Sequence, residues 1–172
     1  MRRLAALSLA VALVLTGCGD DESSISAGDR PSGASAAASS AASSSDNKDL
    51  TMKPTVTVPA GPAPSALKID DLVVGAGAAA EAGKPISVQY VGVSYSTGKQ
   101  FDASWDSGKA FDFTLGAGKV IQGWDEGIVG MKVGGRRQLT IPPDKAYGAQ
   151  GFPPVIAPNE TLVFVVDLLK VG

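Results

Sequence analysis

The sequence contains no histidine and a single cysteine, Cys18. These shortages exclude Ser-His-Asp and Cys-His catalytic groupings and every zinc site that uses histidine. Positive and negative charges nearly cancel, with 15 Lys and Arg against 17 Asp and Glu. No excess of positive charge is available to hold a phosphate backbone. We therefore expect no nucleic-acid binding, no metal site and no cofactor.

The chain also lacks an apolar run long enough to span a bilayer, which takes about 20 residues. The run from Leu4 to Leu15 is shorter and follows two arginines, a pattern typical of secretory signals. It ends in Leu15-Thr16-Gly17-Cys18, which resembles the bacterial lipoprotein box. That resemblance implies a signal peptide over residues 1–17 and lipidation of Cys18, which would anchor the chain on the extracytoplasmic face of a bacterial cell membrane. An ordinary secretory signal is the alternative.

Large apolar residues are scarce in the next segment. From Ser23 to Ser45, 17 of 23 residues are Ser or Ala, so this stretch cannot bury enough surface to offset the entropy of ordering. A helix is less favoured, because serines interrupt the alanines and no apolar stripe appears. We predict a disordered tether rich in Ser, Ala and Pro over residues 18–66, followed by one domain over residues 67–172.

The domain has the pattern of a β-rich fold. Apolar and polar residues alternate after Ile86 and after Phe111, and Leu162 to Val171 is almost continuously apolar, which predicts strands. Another strand is predicted from Arg137 to Ile141, with Arg136 and Arg137 on a solvated surface. A short helix is predicted between Val120 and Val129, from apolar residues at helical spacing. The proline-rich loop from Pro142 to Asn159 is too long for a passive connection.

A series of motifs in this domain resembles FKBP-type peptidyl-prolyl cis-trans isomerases. The motifs, in order, are Val88-Gln89-Tyr90-Val91-Gly92, Gly98-Lys99-Gln100-Phe101-Asp102, Phe111-Asp112-Phe113, Val120-Ile121-Gln122-Gly123-Trp124, Ala146-Tyr147-Gly148 and Thr161-Leu162-Val163-Phe164. The resemblance covers the predicted domain and leaves the signal and tether outside it. It implies an α+β fold, a twisted antiparallel β-sheet wrapped around one short α-helix.

The resemblance also implies a set of site residues. Catalytic roles fall to Tyr90, Asp102 and Tyr147, and Trp124 forms the pocket floor. The implied substrate-binding residues are Phe101, Phe111, Val120, Ile121, Trp124, Ile156 and Phe164. Without the resemblance, most of the apolar members would be assigned to an ordinary core, and Trp105 stays ambiguous between substrate contact and sheet cover.

Asp102 departs from the family in its surroundings. The carboxylate at this position is often held by an arginine five residues along, and here that residue is Ser107. We hypothesise that Asp102 accepts a hydrogen bond from the Tyr90 hydroxyl or stays solvated.

The implied activity suits a chain without histidine. Twisting a peptide bond breaks its resonance at a cost of about 18–20 kcal/mol, and the twisted amide has less charge separation than the planar one, so an apolar pocket favours it. We expect an isomerase that accelerates Xaa-Pro isomerisation during folding of exported proteins. A non-catalytic module that binds proline loops is the alternative, and a holdase is disfavoured because no inserted segment follows Gly134-Gly135.

The expected partners follow from the same resemblance. They are unfolded or partly folded exported proteins that contain Xaa-Pro bonds, and macrolides of the FK506 and rapamycin type. The membrane is expected to be reached through the lipid alone, and the protein is expected to be a monomer.

Overall fold

The structure, a computed structural model, describes residues 49–172. Within these residues, six strands form one sheet, and two short helices and a 3₁₀ turn lie in the connections. In chain order the elements are β1 (Lys68–Val73), β2 (Pro85–Ser94), β3 (Gln100–Ala103), α1 (Ser104–Ser107), β4 (Phe111–Thr114), α2 (Gln122–Gly127), β5 (Arg136–Ile141), the 3₁₀ turn (Pro143–Lys145) and β6 (Leu162–Val171). Sequence analysis identified β2, β4, β5, β6 and α2, but not β1 or α1.

All strand pairs in the sheet are antiparallel. The order is β1-β5-β6-β2-β3, and β4 also pairs with β2. Strand β2 therefore has β6 along one edge, while its other edge is shared by β4 at the start and β3 at the end. This architecture confirms the predicted α+β fold, an antiparallel sheet with few short helices.

The inner face of the sheet packs on helix α2 and forms the main core. Strand β6 contributes Leu162, Phe164, Val166 and Leu168 to it, as its apolar sequence predicts. The other fully or nearly buried members are Ala80, Ile86, Val88, Phe113, Leu115, Trp124, Ile128, Met131, Leu139, Ile141 and Ile156. The core thus surrounds the single tryptophan of the helix.

Helix α2 lies unusually close to strand β5. A Cβ atom added to Gly123 would lie 3.0 Å or less from three carbons of the Ile141 side chain, and one added to Gly127 would meet Leu139 at 2.8 Å. These two glycines sit one helical turn apart, on one face of the helix. The helix is six residues long, shorter than the predicted span between Val120 and Val129.

The outer face of the sheet is covered by residues 52–62, which we call the strap. Val56 and Val58 pack against an outer cluster of buried residues, Val91, Val93, Ala103 and Val163, together with Tyr95 and Trp105. The Tyr95 hydroxyl donates to the Pro59 carbonyl at 3.0 Å, and Lys53 pairs with Asp106.

A disordered tether was expected over residues 18–66. These contacts correct that expectation for residues 52–62, which pack on the sheet. The alternation of Val56 and Val58 with exposed threonines gives the strap one apolar face, and that face is buried on the sheet. Residues 18–48 of the expected tether lie outside the described residues, as do the expected signal peptide and Cys18.

Two arginines that were predicted to be solvated are buried, so that prediction was wrong. Arg136 is 0% exposed and pairs with Asp167 through two hydrogen bonds of 2.5 and 2.7 Å, and the Met52 carbonyl of the strap accepts a third at 2.9 Å. Arg137 binds Asp71 of β1 and donates to the Gly127 carbonyl at the end of α2. As neighbours on a strand the two side chains point to opposite faces of the sheet, and the strap covers one while the end of α2 covers the other.

No helix within residues 49–172 is long and apolar enough to cross a membrane.

Candidate functional site

A cavity of about 280 Å³ opens between the inner face of the sheet and the start of helix α2. Strands β2, β3, β4 and β6 and the loops around α2 each contribute side chains to it. The lining residues are Tyr90, Phe101, Asp102, Phe111, Lys119, Val120, Ile121, Trp124, Tyr147 and Phe164. The structure thus brings nine of the ten predicted catalytic and substrate-binding residues around one cavity.

Aromatic rings enclose the cavity at nearly right angles. The Trp124 side chain is only 4% exposed, and its ring centroid lies 5.0 Å from that of Tyr90 and 5.2 Å from that of Phe164, with interplanar angles of 82° and 86°. Phe101 meets Phe164 at 5.5 Å and 89°. Such edge-to-face contacts are the favoured geometry of aromatic pairs, so the apolar walls hold one another in place.

One hydrogen bond links two polar residues that line the cavity, Tyr90 and Asp102. The Tyr90 hydroxyl donates to Asp102 Oδ2 at 2.6 Å, which confirms the first of the two arrangements expected for Asp102. Burial, followed by the bond to the Asp102 carboxylate, raises the pKa of Tyr90 well above its ordinary value. The phenol therefore remains a neutral donor over the physiological pH range.

Two donors on the cavity wall have no partner within residues 49–172. The Tyr147 hydroxyl lies on a side chain that is 40% exposed, and no hydrogen bond from it to a described group is formed. Burial and the charge of Asp102 raise the pKa of Tyr147, so this phenol also keeps its proton. The Ile121 amide likewise donates to no described group, since the residue lies just before helix α2.

The loop that carries Val120 and Ile121 is fixed by a carboxylate of the helix. Asp125 accepts hydrogen bonds from the amides of Gly116 and Gly118, at 2.8 and 3.0 Å. Both glycines have positive φ, 74° and 64°, which favours glycine over residues with a Cβ. In the sequence, Asp125 is only an acidic residue in the first turn of a short helix. Its hydrogen bonds to the loop were therefore not predicted.

Three further residues were placed differently from the prediction or missed by it. Ile156 is buried in the core and lines a neighbouring groove, not the cavity. Trp105, left ambiguous by sequence, belongs to the outer cluster under the strap. Lys119 lines the cavity and was not predicted, because an exposed lysine in a glycine-rich loop carries no distinctive signal. No group of three or more Cys, His, Asp or Glu side chains able to hold a metal ion occurs within residues 49–172.

Comparison with known sequences identifies the family. Residues 77–169 match the model of the FKBP-type peptidyl-prolyl cis-trans isomerase family. The chain is 55% identical over 120 residues to an FK506-binding protein of Streptomyces anulatus, a match that covers 69% of this chain and 97% of the relative. It is 52% identical over 118 residues to a probable FK506-binding protein of Corynebacterium glutamicum, covering 69% and 98% of the two chains.

Solved structures give the same assignment. The crystal structure of AtFKBP13 superposes with a TM-score of 0.59 at 39% identity, over 64% of this chain and 96% of that one. FkpA from Escherichia coli superposes with a TM-score of 0.56 at 40% identity, over 62% and 48% of the two chains. The chain belongs to the FKBP-type peptidyl-prolyl cis-trans isomerases.

Proposed function

We propose that the aromatic cavity is the active site, and that the protein accelerates Xaa-Pro isomerisation during the folding of exported proteins. The observation that carries the proposal is an open aromatic cavity whose wall has two hydrogen-bond donors, the Tyr147 hydroxyl and the Ile121 amide, without a partner among residues 49–172. Uncatalysed isomerisation takes tens to hundreds of seconds, so a folding chain benefits from a catalyst.

The apolar rings act on the polarity of the reacting amide. The proline ring is proposed to lie over the Trp124 indole, with Tyr90, Phe111 and Phe164 around it. In this water-poor environment the planar amide loses more solvation than the less polar twisted amide, so the barrier to rotation falls. This effect needs neither a nucleophile nor a proton transfer.

The two donors that have no partner among residues 49–172 orient the substrate. The Tyr147 hydroxyl and the Ile121 amide are proposed to donate to two carbonyl oxygens of the substrate chain on either side of the proline. Fixing the chain on both sides of the bond restricts the motion to rotation about that bond. The Tyr90–Asp102 hydrogen bond holds the phenol ring of Tyr90 against Trp124, which gives Asp102 a supporting position at the cavity.

The cellular setting is proposed from the sequence. Lipidation of Cys18 on the extracytoplasmic face of a bacterial membrane would place the domain where exported chains emerge unfolded. The names of the Streptomyces and Corynebacterium relatives refer to FK506 binding, and we extend macrolide binding to this cavity on the strength of its aromatic lining.

The activity is tested by NMR exchange of an Ala-Pro tetrapeptide in the presence of the protein. Tyr147→Phe removes one donor, and the loss of a hydrogen bond of about 0.5–1.5 kcal/mol predicts a two- to tenfold fall in kcat/KM. Trp124→Ala, which removes the pocket floor, should lower kcat/KM further. Tyr95→Phe, which removes a phenolic hydroxyl outside the cavity, serves as the matched control. Peptide binding without any acceleration by the unsubstituted protein would favour the binding module instead.

The anchor is tested separately, by fractionation of the expressing bacterium and mass spectrometry of the mature chain. The unsubstituted protein should carry a lipid on Cys18 and sediment with membranes. Cys18→Ser should abolish the lipid and release the domain into the soluble extracytoplasmic fraction. A chain that begins elsewhere and carries no lipid would contradict this part of the proposal.

A further inference from the structure

A second and larger groove lies beside the aromatic cavity. Its volume is about 650 Å³, and it runs between the turn that joins β2 to β3 and the proline-rich loop over residues 142–159. Phe101 borders both the groove and the cavity, so the two spaces are adjacent across a single side chain. A polypeptide whose proline occupies the cavity can therefore continue into the groove.

The wall formed by the loop is apolar. Ile156 packs into the core behind it, while the exposed part of the wall consists of Pro153, Pro154, Val155, Ala157 and Pro158. Prolines have no amide hydrogen to satisfy, so this wall offers mainly apolar contact. The Val155 side chain is 50% exposed and is available to a ligand.

The opposite wall is polar, but most of its groups already have partners. The Glu160 carboxylate accepts hydrogen bonds from the Ser94 hydroxyl at 2.7 Å and from the Ser96 amide and hydroxyl at 2.9 and 2.8 Å. The Gln100 amide donates to Asp106 at 2.7 Å. Lys99 differs, because its ammonium forms no ion pair or hydrogen bond within the described part of the chain.

We propose that this groove binds residues of an unfolded polypeptide substrate that flank the isomerised proline. The bound segment is extended, with an apolar side chain against the prolines of the loop and a carboxylate near Lys99. The volume falls within the range of about 300–1,000 Å³ found for ligand sites, and an extended chain advances by only about 3.3 Å per residue. The proposal rests on the proposed function, since it needs a proline bound in the cavity.

The test compares one short and two long substrates with the full chain. The short substrate is the Ala-Pro tetrapeptide, and the long ones are twelve-residue peptides with the same Ala-Pro centre and either glutamates or lysines in their flanks. Each kcat/KM for a long peptide is divided by the value for the tetrapeptide with the same variant. For an exposed charge pair we expect the glutamate peptide to be favoured over the lysine peptide by about two- to fivefold.

Three variants locate the preference. Lys99→Glu should reverse the order of the two long peptides, whereas Lys84→Glu, an equal charge change at an exposed lysine outside the groove, should preserve it. Ala157→Trp, which fills the groove, should bring both long peptides close to the tetrapeptide value.

The outcomes separate the two proposals. No acceleration of the tetrapeptide would overturn the proposed function. Acceleration of the tetrapeptide, with the same order of long peptides in Lys99→Glu and in the unsubstituted protein, would overturn the groove proposal alone. A change in the sedimentation coefficient of Ala157→Trp, without a change in peptide preference, would also overturn it, because the groove would then be a contact between copies.

Discussion

The hydrogen bond between Tyr90 and Asp102 fixes the position of one of the aromatic rings that line the cavity. The phenol ring of Tyr90 lies edge-to-face on Trp124, and the bond at 2.6 Å holds its hydroxyl at the mouth of the cavity. Ser107, which stands at the family's arginine position, instead donates to the Ser104 carbonyl within α1. The Asp102 carboxylate is therefore held by the Tyr90 hydroxyl and not by a side chain at position 107.

This pair predicts a change in stability at alkaline pH. The pKa of Tyr90 is raised in the fold above its ordinary value of 10.0, so the folded state holds the phenolic proton more tightly than the unfolded state. The resulting stabilisation is fully present below pH 10 and is lost as the pH rises toward the folded-state pKa. The free energy of unfolding in urea should fall as the pH rises from 10 to 12, and less steeply in Tyr90→Phe. An identical fall in the two proteins would contradict the prediction.

At the scale of elements, the close approach of α2 to β5 sets the depth of the pocket floor. Gly123 faces Ile141 where no methyl group fits, and Trp124 follows it directly in the chain. In an open helix, Gly→Ala stabilises by about 0.8–1 kcal/mol. At this position overpacking should prevail, at a cost of about 1–3 kcal/mol.

Gly123→Ala is therefore expected to lower the free energy of unfolding, the opposite of the propensity effect. Thermal or urea unfolding measures the sign, and Trp124 fluorescence should shift as the indole is displaced. Gln122→Ala, at an exposed position of the same helix, is the control and should change stability by less than about 0.5 kcal/mol. A more stable Gly123→Ala protein would show that the helix can move away from β5.

The sequence predicted those strands whose own residues show an apolar run or an alternation of apolar and polar residues. Strand β6 is an almost continuous apolar run, and apolar and polar residues alternate in β2 and β4. All three strands could therefore be found from their hydrophobic pattern alone. Strand β1 (Lys68–Val73) contains Lys68, Asp70 and Asp71, and its charges hid a strand that is held by pairing with β5. The cavity residues required the family motifs, because an aromatic pocket wall and an aromatic core have the same sequence pattern. No local sequence pattern predicts that Asp125 binds the amides of the glycine-rich loop or that Lys119 lines the cavity.

At the scale of the whole molecule, the sheet has two buried faces. The core around α2 covers one, and the strap over residues 52–62 covers the other. This explains why Val163 and Val165 of β6 are fully buried although they alternate with the core residues Leu162 and Phe164. A strand that is apolar on both sides indicates that both faces of the sheet are covered. The strap covers the outer face, although its prolines and small residues are typical of a linker.

The strap also reaches a buried charge. The Met52 carbonyl accepts a hydrogen bond from Arg136, and the Arg136–Asp167 pair is 0% and 1% exposed. Removing the strap would uncover this pair and the valines of the outer cluster together. The folded unit should therefore include the strap, and not begin at residue 67.

In urea unfolding, a fragment of residues 67–172 should be less stable than a fragment of residues 49–172 by about 2–4 kcal/mol. That figure reflects partial loss of burial for two valines and loss of one hydrogen bond to a charged group. Paired substitutions in the full chain separate a specific fit from chain length: Val56→Asp with Val58→Asp should reproduce most of the loss, and Thr55→Asp with Thr57→Asp, on the exposed side of the strap, should not. Equal stability of the two fragments would mean that the strap rests on the sheet without stabilising it, and the outer valines would then need another cover.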